Sequence, residues 1–89
     1  MNFDIDWYFG EALKRHRKYK RFTQEDLAIQ AKLDRTYISM LERGLRKPSL
    51  EVAMKLAKVL DVDPTQIVEE IDRKIKESEI SSKQSTPDK

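Results

Sequence analysis

"TQEDLAIQAKLDRTYISMLERG", residues 23–44, decides the fold. Its apolar residues recur at helical spacing: Leu27, Ala28 and Ala31, then, after "KLD" (32–34), Ile38 and Leu41. Thr23 with Asp26 three positions on is a capping box, and Asp34 is a good N-cap for a helix that begins at Arg35. Gly44 is a good left-handed stop. Two short helices joined by three residues make a helix-turn-helix by spacing alone, with Ala28 small enough for them to cross steeply. Leu27, Leu33, Ile38 and Leu41 fill the wedge between them.

The outward face of the second helix is not that of a merely solvated segment. At about 100° per residue, Thr36, Met40 and Arg43 fall nearly opposite Ile38, with Arg35 and Ser39 on one shoulder and Tyr37 on the other. Lys, Glu and Gln would serve a face that meets only water. A guanidinium, two hydroxyls, a thioether and a phenol are groups suited to touching something. Glu42 stands apart: it lies about 40° from Ile38 on the wheel, close to the core side.

Outward from this segment the pattern stays helical. A first helix is expected from residue 5 or 6 to 19, with Phe9, Ala12, Leu13 and His16 along one side. "LRKP" (45–48) is a basic loop, and Pro48–Ser49 opens a fourth helix with Leu50, Ala53, Met54, Leu56, Ala57 and Leu60 as its stripe. Asp63–Pro64, with Gln66 able to reach back, starts a fifth that carries Ile67, Val68, Ile71 and Ile75. The expectation is an all-α, compact five-helix domain over residues 1–77. Residues 78–89, rich in Ser, Lys, Gln and Pro and without apolar periodicity, are expected as a disordered tail.

Composition narrows the function classes. There is no cysteine, so disulfide and thiolate chemistry are absent. No apolar run approaches the roughly 20 residues that span a bilayer, and the acidic start does not read as a signal peptide, so the expectation is a soluble cytoplasmic protein with no membrane partner. The net charge of +2 hides an asymmetry: residues 1–47 hold 11 Lys/Arg against 7 Asp/Glu, and residues 48–89 hold 7 against 9. The basic half, with "KRHRKYKR" at 14–21, suits a polyanion. An enzyme is not expected. His16 stands alone, Glu69, Glu70 and Asp72 read as exposed helix-surface pairs, and no metal-ligand spacing, cofactor motif or activated nucleophile is visible.

"FGEALKRHR" (9–17), "TQEDLA" (23–28), "YISMLERG" (37–44) and "PSL" (48–50) together resemble the lambda-repressor-like helix-turn-helix family (Cro/cI, or XRE) of transcriptional regulators, over most of residues 9–67. The "RTYIS" form also resembles controller proteins of restriction–modification systems, and many free-standing regulators share it. Lys32 stands where members often have glycine in the turn, so a non-glycine residue is expected in a left-handed conformation there; Arg21 likewise replaces a common glycine after the first helix.

The resemblance implies that the helix beginning at Arg35 reads double-stranded DNA in the major groove. The expected base-contacting residues are then Arg35, whose fork fits guanine O6 and N7, Thr36 and Ser39 at base edges, and Met40 against a thymine methyl. Gln24, Tyr37, Arg43, Arg46 and Lys47 are the expected phosphate contacts, Gln24 by analogy with its family counterparts. Arg17 occupies the family position that pairs with Glu42, which implies a structural ion pair beneath the motif. No sensor domain is visible, which suits an autoregulatory protein; Glu25 and Asp26 are candidates for a contact with RNA polymerase. A homodimer on a palindromic operator is expected from Ile67, Ile71 and Ile75, which recur every four residues, with Leu60 and Val62 joining from the preceding loop. The rival function is an antitoxin or adaptor that keeps the fold but chiefly holds a partner protein, against which the tail offers only Ile80 as an apolar anchor.

Overall fold

Apolar residues at helical spacing, with few helix breakers, give five helices in this computed structural model, which describes residues 4–85. They are α1 (Ile5–Tyr19), α2 (Gln24–Ala31), α3 (Arg35–Glu42), α4 (Leu50–Val59) and α5 (Pro64–Ser85). Among the described residues there is no strand, and no helix is long and apolar enough to cross a membrane.

Helix starts follow their side chains. Thr23 Oγ1 accepts from Asp26 N at 2.9 Å while Asp26 Oδ2 accepts from Thr23 N at 2.8 Å, the reciprocal capping box. Ser49 Oγ accepts from Val52 N at 3.0 Å. Two expected caps differ. Asp34 holds the N-cap position of α3 in extended backbone, but its carboxylate makes no capping bond. Gln66 does not reach back to the start of α5; its Nε2 donates forward to Glu70 Oε2 at 3.2 Å.

The ends of α1 to α4 share one device. Arg21, Lys32, Gly44 and Asp61 each adopt positive φ, at 63°, 57°, 74° and 63°. The apolar residue that follows each one folds its N–H back over the helix end: Phe22 to Arg17 O, Leu33 to Ala28 O, Leu45 to Met40 O and Val62 to Ala57 O, at 2.8–3.1 Å. Only one of the four is glycine, so side chains at the other three bear left-handed strain of about 1 kcal/mol each. The double closure of the orphan carbonyls and the apolar residue docked after it offset that strain.

The core gathers Phe9, Ala12 and Leu13 from α1, Leu27, Ala28 and Ala31 from α2, Ile38 and Leu41 from α3, Leu56 and Ala57 from α4, then Leu60 and Ile67. Leu60 and Ile67 correct the expected dimer face. They are only 2% and 4% exposed, because the space between α1, α4 and α5 is filled by them. Val62 and Ile71 are half-buried against the same core, and Ile75 is half-buried further along α5. The apolar side chains that this region leaves outside are Leu50, Met54 and Val68. The stretch expected as a tail from residue 78 is helical as far as Ser85, since nothing between Pro64 and Pro87 breaks a helix and Asp72–Lys76 adds an i,i+4 pair at 3.1 Å. The rest of that stretch, 86–89, lies outside the described residues.

Helix α1 crosses α3 at Gly10. A Cβ there would stand 2.4 Å from the carbonyl oxygen of Leu41 and 2.7 Å from that of Glu42, both backbone atoms that cannot swing aside. Gly10→Ala gains about 1 kcal/mol of helix propensity yet forces the two helices apart, an overpacking that costs about 1–3 kcal/mol or more. The expected result is a lower melting midpoint by circular dichroism. A midpoint at or above that of wild type would show that the crossing tolerates separation.

Candidate nucleic-acid interface

Helix α3 is two-faced. Ile38, Leu41 and Glu42 are buried, whereas Arg35 and Thr36 are exposed and Ser39 and Met40 are partly so. The short turn through left-handed Lys32 leads into a first turn of α3 whose Arg35 and Thr36 are exposed, and Asp34 gives no side-chain cap to its N-terminal N–H groups. The four expected base-contacting side chains therefore share one accessible face.

The expected flanking residues divide. Arg43 Nε lies 3.4 Å from Ser39 O, and its side chain is exposed at the end of α3. Arg46 folds back onto α3: its guanidinium carbon stands 5.5 Å from the Tyr37 ring centroid, and Nη1 is 3.8 Å from Met40 Sδ. Tyr37 is half-buried against the core and serves as a platform for that cation. Lys47 Nζ is 3.4 Å from Asp6 Oδ1 and remains 80% exposed, a weak surface pair that leaves the ammonium available to a stronger anion. Gln24 is half-buried at the first position of α2, and its amide Nε2 donates to Glu42 Oε1 at 3.0 Å.

Beneath this face lies the ion pair. Arg17 Nε donates to Glu42 Oε2 at 2.5 Å and Nη2 to Glu42 Oε1 at 3.0 Å, while Nη1 donates to the Phe22 carbonyl at 2.7 Å. Both residues are 7% exposed. Among the described residues no buried side-chain nitrogen or oxygen lacks a hydrogen-bond partner, so the charges are compensated where they sit.

A model of the helix-turn-helix family matches residues 13–67, more than half the chain. The chain belongs to that family, the Cro/cI or XRE type. Within it, control protein C.BamHI of Bacillus amyloliquefaciens is 39% identical over 70 residues, 78% of this chain and 86% of its own length. The restriction–modification controller protein C.AhdI of Aeromonas hydrophila has a crystal structure with TM-score 0.67 and 40% identity, covering 70% of this chain and 94% of that one. The controller protein C.Esp1396I, solved as a tetramer with its natural 35 base-pair operator, gives TM-score 0.72 and 34% identity over 80% of this chain and 93% of that one.

One part of the helix-turn-helix scaffold escaped the sequence. Glu70 on α5 is no exposed helix-surface acid. It receives Arg15 Nη2 at 2.8 Å and Gln66 at 3.2 Å, and His16 Nε2 lies 3.0 Å from one oxygen and 3.1 Å from the other. Arg15 and His16 lie 55 and 54 residues away on α1, and no local spacing announces them. Burial pushes the Glu70 carboxyl up, but the hydrogen bond and charge of His16, with the bonds from Arg15 and Gln66, outweigh it and hold the carboxyl below its ordinary 4.5. A carboxyl lowered in the fold contributes stability that is complete above 4.5 and is lost as pH falls through the lowered value. Glu70→Gln should therefore be less stable than wild type at about pH 6, with the gap closing towards about pH 3. Equal stability losses at both pH values in urea melts would mean that the ionised carboxylate contributes nothing.

Proposed function

We propose that this chain is a sequence-specific DNA-binding transcriptional regulator that lays α3 in the major groove of a palindromic operator. The observation that carries the reading is the accessible face of α3, where Arg35, Thr36, Ser39 and Met40 stand outside a helix whose other side is locked into the core. Arg35 is assigned to guanine, Thr36 and Ser39 to base edges, and Met40 to a thymine methyl. Gln24, Tyr37, Arg43, Arg46 and Lys47 are assigned to phosphates. Arg46, stacked on Tyr37 and Met40, enters the groove edge with α3 rather than from a distant loop. Asp26 is occupied by its capping box, which leaves Glu25 as the acid offered to RNA polymerase. The regulator acts in the cytoplasm, beside the DNA, and its own concentration is the signal it answers to.

The dimer face proposed from the structure keeps Ile71 from the isoleucine spacing but shifts towards Leu50 and Val68, because Leu60 and Ile67 are buried in the monomer. A groove of about 290 Å³ lies among Ile5, Phe9, Leu50, Met54, Val68 and Ile71, with Leu50 75% and Val68 61% exposed at its rim. A second copy related by a two-fold axis can set its own Leu50 and Val68 against this rim, which buries the same patch on both subunits. Such a pair presents two α3 helices about one DNA turn apart, ~34 Å, and so half-sites ~10 bp apart or a multiple of that.

Selection of bound duplexes in vitro supplies the operator. On it, Arg35→Ala should lose about 1–3 kcal/mol of discrimination per half-site while binding to random duplex stays nearly intact. An unchanged ratio of operator to random affinity would remove Arg35 from base reading. Val68→Asp should leave a folded monomer in sedimentation at tens of micromolar and bind only half-sites, weakly. Val68 suits this test better than Ile71, which also packs into the monomer core. A variant that stays dimeric would move the interface elsewhere.

A further inference from the structure

We infer that Arg17 and Glu42 are positioning residues for the DNA backbone contact, the buried pair holding the Gln24 carboxamide in the pose that meets a phosphate. The inference rests on the proposed DNA-binding role and says how one of its contacts is built. Three donors converge on the Glu42 carboxylate: Arg17 Nε, Arg17 Nη2 and Gln24 Nε2, the last two sharing Oε1. The remaining arm of the guanidinium, Nη1, holds the carbonyl of Phe22, the residue just before the Thr23 cap of α2. One guanidinium therefore fixes both the carboxylate on α3 and the backbone that leads into α2.

An ionised carboxylate only accepts, so Gln24 must face it with its NH2 group. The two N–H bonds of a primary amide diverge by about 120°, and fixing one by a bond to Glu42 fixes the direction of the other. The first turn of α2 supplies the rest of a donor set. Thr23 N and Asp26 N are taken by the capping box, whereas the N–H groups of Gln24 and Glu25 have no acceptor within the helix. A phosphate at this helix end meets those two backbone donors and an amide already held in place. The side-chain entropy of ordering Gln24 is then lost during folding and not on the DNA. Arg17 has a second effect, because it neutralises a carboxylate that would otherwise repel the phosphate.

The test is a mutant cycle read by affinity for the selected operator and for random duplex. The backgrounds are wild type and the apolar pair Arg17→Met/Glu42→Met, whose folding is checked by thermal melting. In wild type, Gln24→Ala should weaken both duplexes by about tenfold, the scale of one hydrogen bond to a charged group. In the apolar background the same change should alter affinity by less than about twofold, since the amide there is no longer held. Arg35→Ala serves as the control and should lose the same discrimination in both backgrounds. Should that pair fail to fold, Arg17→Leu/Glu42→Leu gives a second apolar background that likewise leaves the Gln24 amide nothing to bond to at position 42. Equal costs of Gln24→Ala in the two backgrounds would overturn the inference, as would no cost in wild type. Loss of the Arg35 effect in the altered background would also overturn it, because the pair would then support the whole motif. A wild-type protein that selects no operator would instead sink the proposed function.

Discussion

Two opposite charges placed out of water at the meeting point of α1, α2 and α3 are the constraint on which this small domain turns. Desolvating a guanidinium and a carboxylate costs several kcal/mol each. The cost is met because Arg17 and Glu42 engage bidentately and because Phe22 O and Gln24 Nε2 satisfy the remaining directions. Such a pair adds little net stability over apolar residues of similar volume, but it tolerates few alternative packings. Shifting α1 along α3 would strand one charge, and removing one partner from a buried pair costs about 3–5 kcal/mol. Gly10 acts in the same direction by letting α1 approach the carbonyls of Leu41 and Glu42 closely. Close approach at Gly10 and apolar burial of Ile38 and Leu41 set the pose of α3, and the charge pairing adds a fixed link from it to α1 and to the start of α2.

That geometry separates the two sides of α3 by chemistry. The inner side holds Ile38 and Leu41, fully buried, and the compensated Glu42. The outer side holds Arg35 and Thr36, exposed, and the cations that follow α3 in the chain have weak partners: Arg43 on a helix carbonyl at 3.4 Å, Lys47 on Asp6 at 3.4 Å, Arg46 on a ring and a sulfur. Weak partners matter for a polyanion ligand. A cation already in a strong buried pair gains little from a phosphate, whereas one in an exposed pair can exchange partners at small cost. The protein keeps its strong pair inside and its loosely held cations outside.

Much of this was legible in the sequence because it is local. The limits of α1 to α3, the starts of α4 and α5, the Thr23–Asp26 box and the inward lean of Glu42 all follow from spacings of four residues or fewer, and the family resemblance supplied the left-handed Lys32 and Arg17 as the partner of Glu42. The misreadings came where local preference met tertiary competition. Gln66 had a backbone N–H within reach but found a carboxylate held by two helices instead. Asp34 has cap chemistry, yet its carboxylate is left without a capping bond. Asp61, a third non-glycine residue at positive φ, carries no glycine-like signal, although Val62 after it is the apolar residue that this helix end requires. The isoleucine spacing on α5 suggests a dimer face, but Ile67, buried, and Ile71, half-buried, are the lid of the monomer core.

Closing that lid has a consequence for the opposite rim. A helix has room for only one stripe against the core, so turning Ile67 and Ile71 inward rotates Val68 by about 100° towards solvent, where Leu50 and Met54 also emerge from α4. A domain of this size cannot cover every apolar residue by itself. The residue left over is thus decided by how α5 seats on α1, and that seating is fixed at its middle by Arg15, His16 and Glu70. The ionic clasp that closes the monomer therefore also bears on which apolar groove is left open. A different pair, Arg17 and Glu42, holds the Gln24 amide at the start of α2. Folding and the proposed reading and pairing thus draw on separate contacts of one helix, so a change in the groove need not disturb the outer face of α3.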